Sequence, residues 1–108
     1  MEPLERSTAD EYATWFAALS DGTRIQIVSL LARCRRPMTV GEITDAVNVG
    51  QSTVSHHLKI LSDVRFLLVD QQGTRRLYRI NEACVGCFPS AADVVMGKPA
   101  PSPIGGCA

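Results

Sequence analysis

The sequence has no net charge, no long apolar run and no secretory signal. Its eleven lysine and arginine residues balance eleven aspartate and glutamate residues, so it lacks the overall positive charge that draws a protein to any polyanion. No segment is long and apolar enough to span a bilayer, and no basic stretch followed by an apolar one begins the chain. We therefore expect a cytoplasmic protein without a membrane partner, in which any nucleic-acid site depends on local charge.

Histidine and cysteine are also scarce. The two histidines, His56 and His57, are adjacent, and the sequence shows neither an acid–base constellation nor a glycine-rich phosphate loop, so we do not expect an enzyme. Four cysteines in a cytoplasmic protein are expected to be reduced thiols. At 108 residues with 45% apolar content, the chain is expected to form one small domain that gains stability from a partner subunit.

An aromatic stripe predicts the first helix. The spacing i, i+3, i+4, i+7 predicts a helix over residues 8–19, and it is shown by Tyr12, Trp15, Phe16 and Leu19. Such a stripe is more often core than a cofactor site. In a domain this small it equally suits a dimer interface, where aromatic residues are enriched.

Cap residues predict the next two helices. Asp21 is placed to cap a second helix, in which Ile25 is expected to face inward and Cys34 to act as a small apolar filler at a buried end. Thr39 begins a capping-box pattern and predicts a third helix over residues 40–47.

The stretch GQSTVSHHLKIL, residues 50–61, predicts a helix that presents polar side chains to a partner. Its buried stripe is expected to consist of Val54, Leu58 and Leu61. His57 lies only about 60° from Val54 around the helix axis, so we expect it to pack. The opposite face carries hydroxyls, an imidazole and a cation, which are groups that hydrogen-bond base edges and phosphates in a major groove. A tight turn at residues 48–50 separates this helix from the third, as a helix-turn-helix requires.

A hairpin is predicted after this helix. Two β-prone runs, residues 66–69 and 75–80, flank a polar loop that contains glycine. Arg75 and Arg76 would be solvated at the end of any hairpin, but beside a groove-reading helix they are placed to neutralise phosphates. From residue 51 to residue 80 the net charge is plus three, which supplies the local positive charge.

The predicted fold class is mainly α with a β-hairpin, a winged helix-turn-helix. Three helices precede the presenting helix, and the hairpin wing is followed by a C-terminal helix over Pro89 to Met96. Residues 1–97 are predicted to form the DNA-binding and dimerisation domain. Residues 98–108 are rich in proline and glycine and are predicted to be a flexible tail.

Three stretches of this sequence resemble the ArsR/SmtB-type metal-sensing repressors. They are SDGTR at residues 20–24, QSTVSHHLK at residues 51–59 and RLYRI at residues 76–80, within a resemblance that covers about residues 12–83. Gly22 stands where the family usually has proline, and Gly50 where it usually has a serine cap; glycine is an acceptable cap. The resemblance implies a homodimer on a palindromic operator in double-stranded DNA, released when a metal or metalloid binds.

The resemblance also implies roles for side chains of the presenting helix. Residues 51, 52, 55 and 56 match the family's base-reading positions, and Lys59 resembles the residue that contacts the DNA backbone. Together with the hairpin arginines, the predicted DNA-contacting set is Gln51, Ser52, Thr53, Ser55, His56, Lys59, Arg75 and Arg76.

Two inducer arrangements of the family are absent from this sequence. A Cys-x-Cys pair at the start of the third helix is replaced by Thr39 and Gly41, and no histidine follows His57 to hold zinc on the last helix. The remaining candidate ligands are sulfur atoms, those of Cys84, Cys87 and Cys107.

The Cys-x-x-Cys pair of Cys84 and Cys87 is a moderate signal, because redox centres and zinc sites use the same spacing. Structural zinc needs four ligands, and no second pair exists. Two close thiols and the remote Cys107 suit a three-coordinate thiophilic centre, for which trivalent arsenic, also in methylated form, or antimony comes first and cadmium or lead second. Gly86 and Pro89 are expected to break regular structure around the pair. Oxidation of the pair to a disulfide, in a redox-sensing repressor, is the alternative.

Overall fold

A computed structural model of the chain describes residues 2–97, apart from the side chains at positions 84, 86, 87 and 89. The helices in this part are α1 (Arg6–Ala18), α2 (Gly22–Cys34), α3 (Val40–Val47), α4 (Gln51–Asp63) and α5 (Glu82–Val95). The strands are β1 (Met38–Thr39), β2 (Leu67–Gln72) and β3 (Arg75–Ile80). This order confirms the predicted winged helix-turn-helix. None of the helices in the described range could cross a membrane.

Side-chain caps begin α2 and α3 where the sequence predicts them. The Asp21 carboxylate accepts hydrogen bonds from the backbone N–H groups of Thr23 at 2.8 Å and Arg24 at 3.2 Å. The Thr39 hydroxyl accepts from the N–H of Glu42 at 3.2 Å, and the Glu42 carboxylate accepts from the N–H of Thr39 at 3.0 Å. These bonds satisfy donors that have no partner within the first turn of a helix.

The turn between α3 and α4 depends on Asn48. This residue adopts the left-handed conformation, with φ 56° and ψ 46°, and its N–H donates to the carbonyl of Thr44 at 2.9 Å. Asparagine enters this region more readily than most residues. Gly50 then serves as the N-cap of α4 without a side-chain cap. The short connection therefore holds α4 against α3.

The core lies between the helices and the sheet. Its largest fully buried side chains are Ile27, Leu31, Ile43, Val54, Leu58, Leu61 and Leu67. Three of them belong to α4 and form the predicted stripe. Full burial of one aliphatic side chain contributes roughly 1.5–3 kcal/mol, so this stripe alone holds α4 firmly to the core.

The wing is a three-stranded antiparallel sheet in which β3 lies between β1 and β2. The predicted hairpin is confirmed, but its loop is shorter than expected because residues 70–72 continue β2. Only Gly73 and Thr74 connect the strands, and Gly73 has a φ of 61°, which glycine adopts without strain. The strand β1 pairs Met38 with Tyr78. It was not predicted, because two residues carry no periodic signal.

Two expectations for α2 are wrong. Ile25 is 52% exposed, and Cys34 is exposed and not buried. The buried side of α2 is centred on Ile27 and Leu31, one turn apart, which directs Ile25 away from the core. Cys34 is the last helical residue, before Arg35 turns the chain in the left-handed conformation. Cys34 is therefore not an apolar filler of the core.

The expected break near Gly86 and Pro89 is also wrong. The helix α5 begins at Glu82, because the side-chain oxygen of Asn81 caps it by accepting from the N–H of Ala83 at 3.2 Å. Residues 84–89 therefore continue one helix with the predicted last segment. The predicted tail, residues 98–108, lies outside the described residues.

Candidate nucleic-acid interface

The outer face of α4 is a row of exposed polar side chains. All the predicted contact residues of this helix are exposed, namely Gln51, Ser52, Thr53, Ser55, His56 and Lys59. The buried residues Val54, His57, Leu58 and Leu61 occupy the opposite side. The stripe that binds α4 to the core therefore presents the other face outward.

Lys59 has an intrahelical partner. Its ammonium lies 3.5 Å from the Asp63 carboxylate, and the two side chains are 76% and 65% exposed. An ion pair this exposed contributes little free energy, so Lys59 can exchange its partner for another anion at small cost.

The wing brings Arg76 close to α4. A groove between α4 and the wing is lined by residues that include Ser55, Lys59 and Arg76. A second groove, beside Gly41 in the first turn of α3, is bordered by both Arg75 and Arg76. This turn of α3 was missed in the sequence. The N–H of Glu42 is already bonded to Thr39, but the helix dipole at this end of α3 favours anions.

A third arginine of the wing is already neutralised. The guanidinium of Arg79 donates to the carboxylate of Asp70 on the neighbouring strand at 3.0 Å. This pair distinguishes Arg79 from Arg75 and Arg76, whose side chains are exposed beside the hairpin loop.

His57 is 8% exposed and packs inside the domain, which confirms the prediction that this histidine faces the core. Its Nδ1 accepts a hydrogen bond from Nη1 of Arg24 at 3.0 Å, and the Nε of Arg24 donates to the carbonyl of Ala18 at 2.7 Å. Nε2 of His57 lies 3.8 Å from the Asp21 carboxylate. This cluster was missed from the sequence because His57 and Arg24 are 33 residues apart.

The pKa of Asp21 is lowered from its ordinary value. The main cause is the N–H of Arg24, which donates to the carboxylate. Loss of hydration opposes this shift, while the N–H of Thr23 and electrostatic attraction by His57 and Arg24 add to it. The cluster therefore favours the charged form of Asp21.

The structure places Cys84 and Cys87 in α5, three residues apart and so one helical turn from each other. Their side chains, and all of Cys107, lie outside the described residues. Within the described part of the chain, no three His, Cys, Asp or Glu side chains gather as metal ligands.

Asn81 and Phe88 connect this helix to the end of α4. Nδ2 of Asn81 donates to the carbonyl of Arg65 at 2.8 Å, and the N–H of Asn81 donates to the carbonyl of Phe66 at 2.9 Å. The ring of Phe88 meets those of Phe66 and Phe16 at centroid distances of 5.4 and 5.0 Å. Asn81 was missed as a helix cap because Gly86 and Pro89 were interpreted as breaks.

The sequence and the fold are similar to known regulators. The profile described as "Bacterial regulatory protein, arsR family" matches residues 21–67. The chain is 34% identical over 83 residues to the arsenical resistance operon repressor of Bacillus subtilis (strain 168), a match that covers 76% of this chain and 77% of that protein. It is 42% identical over 64 residues to the HTH-type transcriptional regulator Rv2034 of Mycobacterium tuberculosis, covering 59% of this chain and 58% of that protein.

Solved structures agree with the sequence comparison. The homodimeric winged helix-turn-helix DNA-binding domain Mb0332 of Mycobacterium bovis, described as a possible ArsR-family transcriptional regulator, has a TM-score of 0.68. It is 29% identical, and the match covers 89% of this chain and 91% of that one.

The lowered pKa of Asp21 predicts a pH dependence of stability. Its contribution to the free energy of unfolding is complete above the pKa of the unfolded state, about 3.9, and is lost as the pH falls through the lower pKa of the folded state. Asp21→Asn keeps a capping oxygen but cannot titrate. We expect urea unfolding to show that the wild type loses more stability than Asp21→Asn as the pH falls below about 4. An identical loss in both proteins would contradict the assigned cause.

Proposed function

Because this chain belongs to the ArsR family of bacterial regulatory proteins, we propose that it represses transcription from a DNA operator and is released by trivalent arsenic or antimony. The family consists of DNA-binding transcriptional regulators and not of enzymes. The observation that carries the proposal is the exposed polar face of α4, held outward by its buried stripe. Since DNA is the proposed partner, the cytoplasm is the proposed compartment.

The outer face of α4 has the chemistry for reading bases. A major groove about 12 Å wide admits one helix, and hydroxyl, amide and imidazole groups hydrogen-bond base edges there. We assign base contacts to Gln51, Ser52, Ser55 and His56, with Thr53 beside them. Lys59 is assigned a phosphate contact, because its exposed pair with Asp63 is readily exchanged.

Backbone contacts are assigned to the wing and to α3. Arg75 and Arg76 border the same groove as the first turn of α3, so a phosphate placed there would lie near both arginines and the positive end of the helix dipole. These contacts position the protein without reading sequence.

Substitutions separate the two kinds of contact. In Ser55→Ala or His56→Ala, loss of a base contact should reduce the preference for the selected operator over a scrambled duplex by roughly 5- to 150-fold. In Arg75→Ala, both duplexes should bind more weakly by similar factors, and the salt dependence should become shallower by about one unit of slope. Fluorescence anisotropy measures these affinities, with an operator that the wild type selects from a random pool.

Arg6→Ala is the matched control for charge loss, because Arg6 is exposed on α1 and pairs only weakly with Asp10. It should bind both duplexes like the wild type. Equal effects of Ser55→Ala, His56→Ala and Arg75→Ala on the preference would contradict these roles.

The surface of α1 and α5 suggests a homodimer. Phe16 on α1 and Val85 and Val95 on α5 are exposed apolar residues, and Met96 at the end of α5 is 77% exposed. A dimer through these helices would cover them, and two symmetric copies would match a palindromic operator. The M. bovis relative is described as homodimeric, which supports the same assembly.

The assembly is tested by Val95→Asp, because a carboxylate in an apolar interface is costly. Light scattering at micromolar concentration should give a dimer mass for the wild type and a monomer mass for this variant. Val69→Asp, a comparably exposed valine on the wing, should remain dimeric. A monomeric wild type that still binds its operator specifically would contradict the proposal.

The inducer is assigned to sulfur ligands. Residues one turn apart on a helix have neighbouring side-chain positions, so Cys84 and Cys87 suit two bonds to one ion. Soft thiolates favour soft ions such as trivalent arsenic. Arsenous acid would exchange three hydroxyl groups for three cysteine sulfurs and release three waters, with Cys107 as the third ligand. The 34% identity to an arsenical resistance operon repressor supports this inducer.

The described contacts offer a route from the inducer to DNA. A ligand at residues 84 and 87 acts on the first turns of α5, and the cap of that helix, Asn81, is bonded to the carbonyls of Arg65 and Phe66 just after α4. A shift of α5 therefore displaces the end of α4. A coupling of about 1–3 kcal/mol changes operator affinity roughly 5- to 150-fold.

Cysteine substitutions test the inducer site. Cys84→Ser and Cys87→Ser should bind the operator normally but not release it with arsenite, because a hydroxyl lacks the soft, ionisable sulfur. Cys34→Ser is the control and should release DNA normally, since Cys34 is at the end of α2.

Cys107→Ser tests the third ligand. Loss of the arsenite response would identify Cys107 as that ligand, whereas a response kept only for singly methylated arsenic would show that the pair of Cys84 and Cys87 suffices for that form. Release of the operator by arsenite from the Cys84→Ser, Cys87→Ser double variant would contradict the proposed inducer site.

A further inference from the structure

Arg24 connects three helices and is not among the residues assigned to DNA or to the inducer. It lies near the start of α2, and its guanidinium donates through Nε to the carbonyl of Ala18, the last residue of α1, at 2.7 Å. Through Nη1 it donates to Nδ1 of His57 on the inner side of α4, at 3.0 Å. Ala18 and His57 are only 3% and 8% exposed, so both residues that accept these bonds are buried.

We propose that Arg24 and His57 are positioning residues for DNA binding, which set the orientation of α4 relative to α1. The inference rests on the proposed function, in which α4 reads bases and α1 belongs to the dimer surface. If two copies are held through α1, the direction of each α4 relative to α1 determines how the two helices meet successive grooves.

The buried stripe of α4 sets which face of the helix is outward, and a directional contact beside the stripe adds resistance to smaller rotations. Contacts of Val54, Leu58 and Leu61 are apolar, and the hydrophobic effect is non-directional. A hydrogen bond is directional. The bond between Arg24 and His57 lies beside the buried stripe, so it resists rotation of α4 about its axis. Binding groups need to be held within about 10–20° of their productive geometry. His56, the next residue, is exposed on the face that this rotation would turn.

The chemistry of the cluster requires these side-chain types. Arginine offers N–H groups in a planar fork that reach two acceptors in different directions, whereas lysine offers one ammonium group. Because Nδ1 of His57 accepts from Arg24, the ring proton is on Nε2, which lies 3.8 Å from the Asp21 carboxylate. Asp21 in turn caps the helix that carries Arg24.

Matched substitutions test the proposal. Arg24→Met keeps the apolar stem without donors, and His57→Leu keeps bulk without an acceptor, whereas His57→Gln restores an acceptor oxygen. At a temperature where circular dichroism shows all variants folded, Arg24→Met and His57→Leu should each lose roughly tenfold in preference for the selected operator over a scrambled duplex. His57→Gln should retain most of it. The Arg24→Met, His57→Leu double variant should be no worse than Arg24→Met alone, because Arg24→Met already removes the contact between Arg24 and His57.

A second measurement reports orientation without DNA. Residual dipolar couplings of backbone amides should show a changed angle between α1 and α4 in Arg24→Met and His57→Leu, and the wild-type angle in His57→Gln. An unchanged angle in the first two variants overturns the proposal, whatever their stability. A wild-type operator preference in His57→Leu also overturns it, while loss of preference in His56→Ala in the same assay shows that the proposed function itself stands.

Discussion

The attachment of α4 to the core by Val54, Leu58 and Leu61 is the constraint on which the rest of the structure depends. These side chains have no exposed surface, and their combined burial is of the same order as the whole net stability of a small domain. Because one face of α4 is committed to the core, its polar residues are presented outward. The proposed base-reading surface is thus a consequence of the packing.

Directional contacts add what apolar packing lacks, and they act at the middle of α4 and just after its end. At the middle, His57 accepts a hydrogen bond from Arg24, which also donates to the last residue of α1. After its end, the carbonyls of Arg65 and Phe66 accept from Asn81, which caps α5. Hydrogen bonds of Arg24 therefore connect α4 to α1, which carries the proposed dimer surface, and those of Asn81 connect it to α5, which carries the proposed inducer site. We expect a shift of α1 or α5 to move α4.

Local signals predicted most of the fold, and long-range contacts account for what was missed. The caps of α2 and α3, the stripe of α4 and the hairpin depend on residues a few positions apart. The exposure of Ile25 depends on which side of α2 the other elements cover, which its own periodicity does not settle. In α5, glycine and proline suggested a break, but the Asn81 cap and the packing of Phe88 between two other rings favour a continuous helix. The Arg24–His57 contact carries no local signal at all.

We propose that a thiophilic ion, and not oxidation, releases this regulator from DNA. The most direct measurement is a titration of the fully reduced wild-type protein, bound to its selected operator, with arsenite in one series and hydrogen peroxide in another, followed by fluorescence anisotropy. We expect release by arsenite near one equivalent per site, with loss of titratable thiols and no disulfide in the product. Release by peroxide alone, with a disulfide formed and with DNA retained in arsenite, would contradict it.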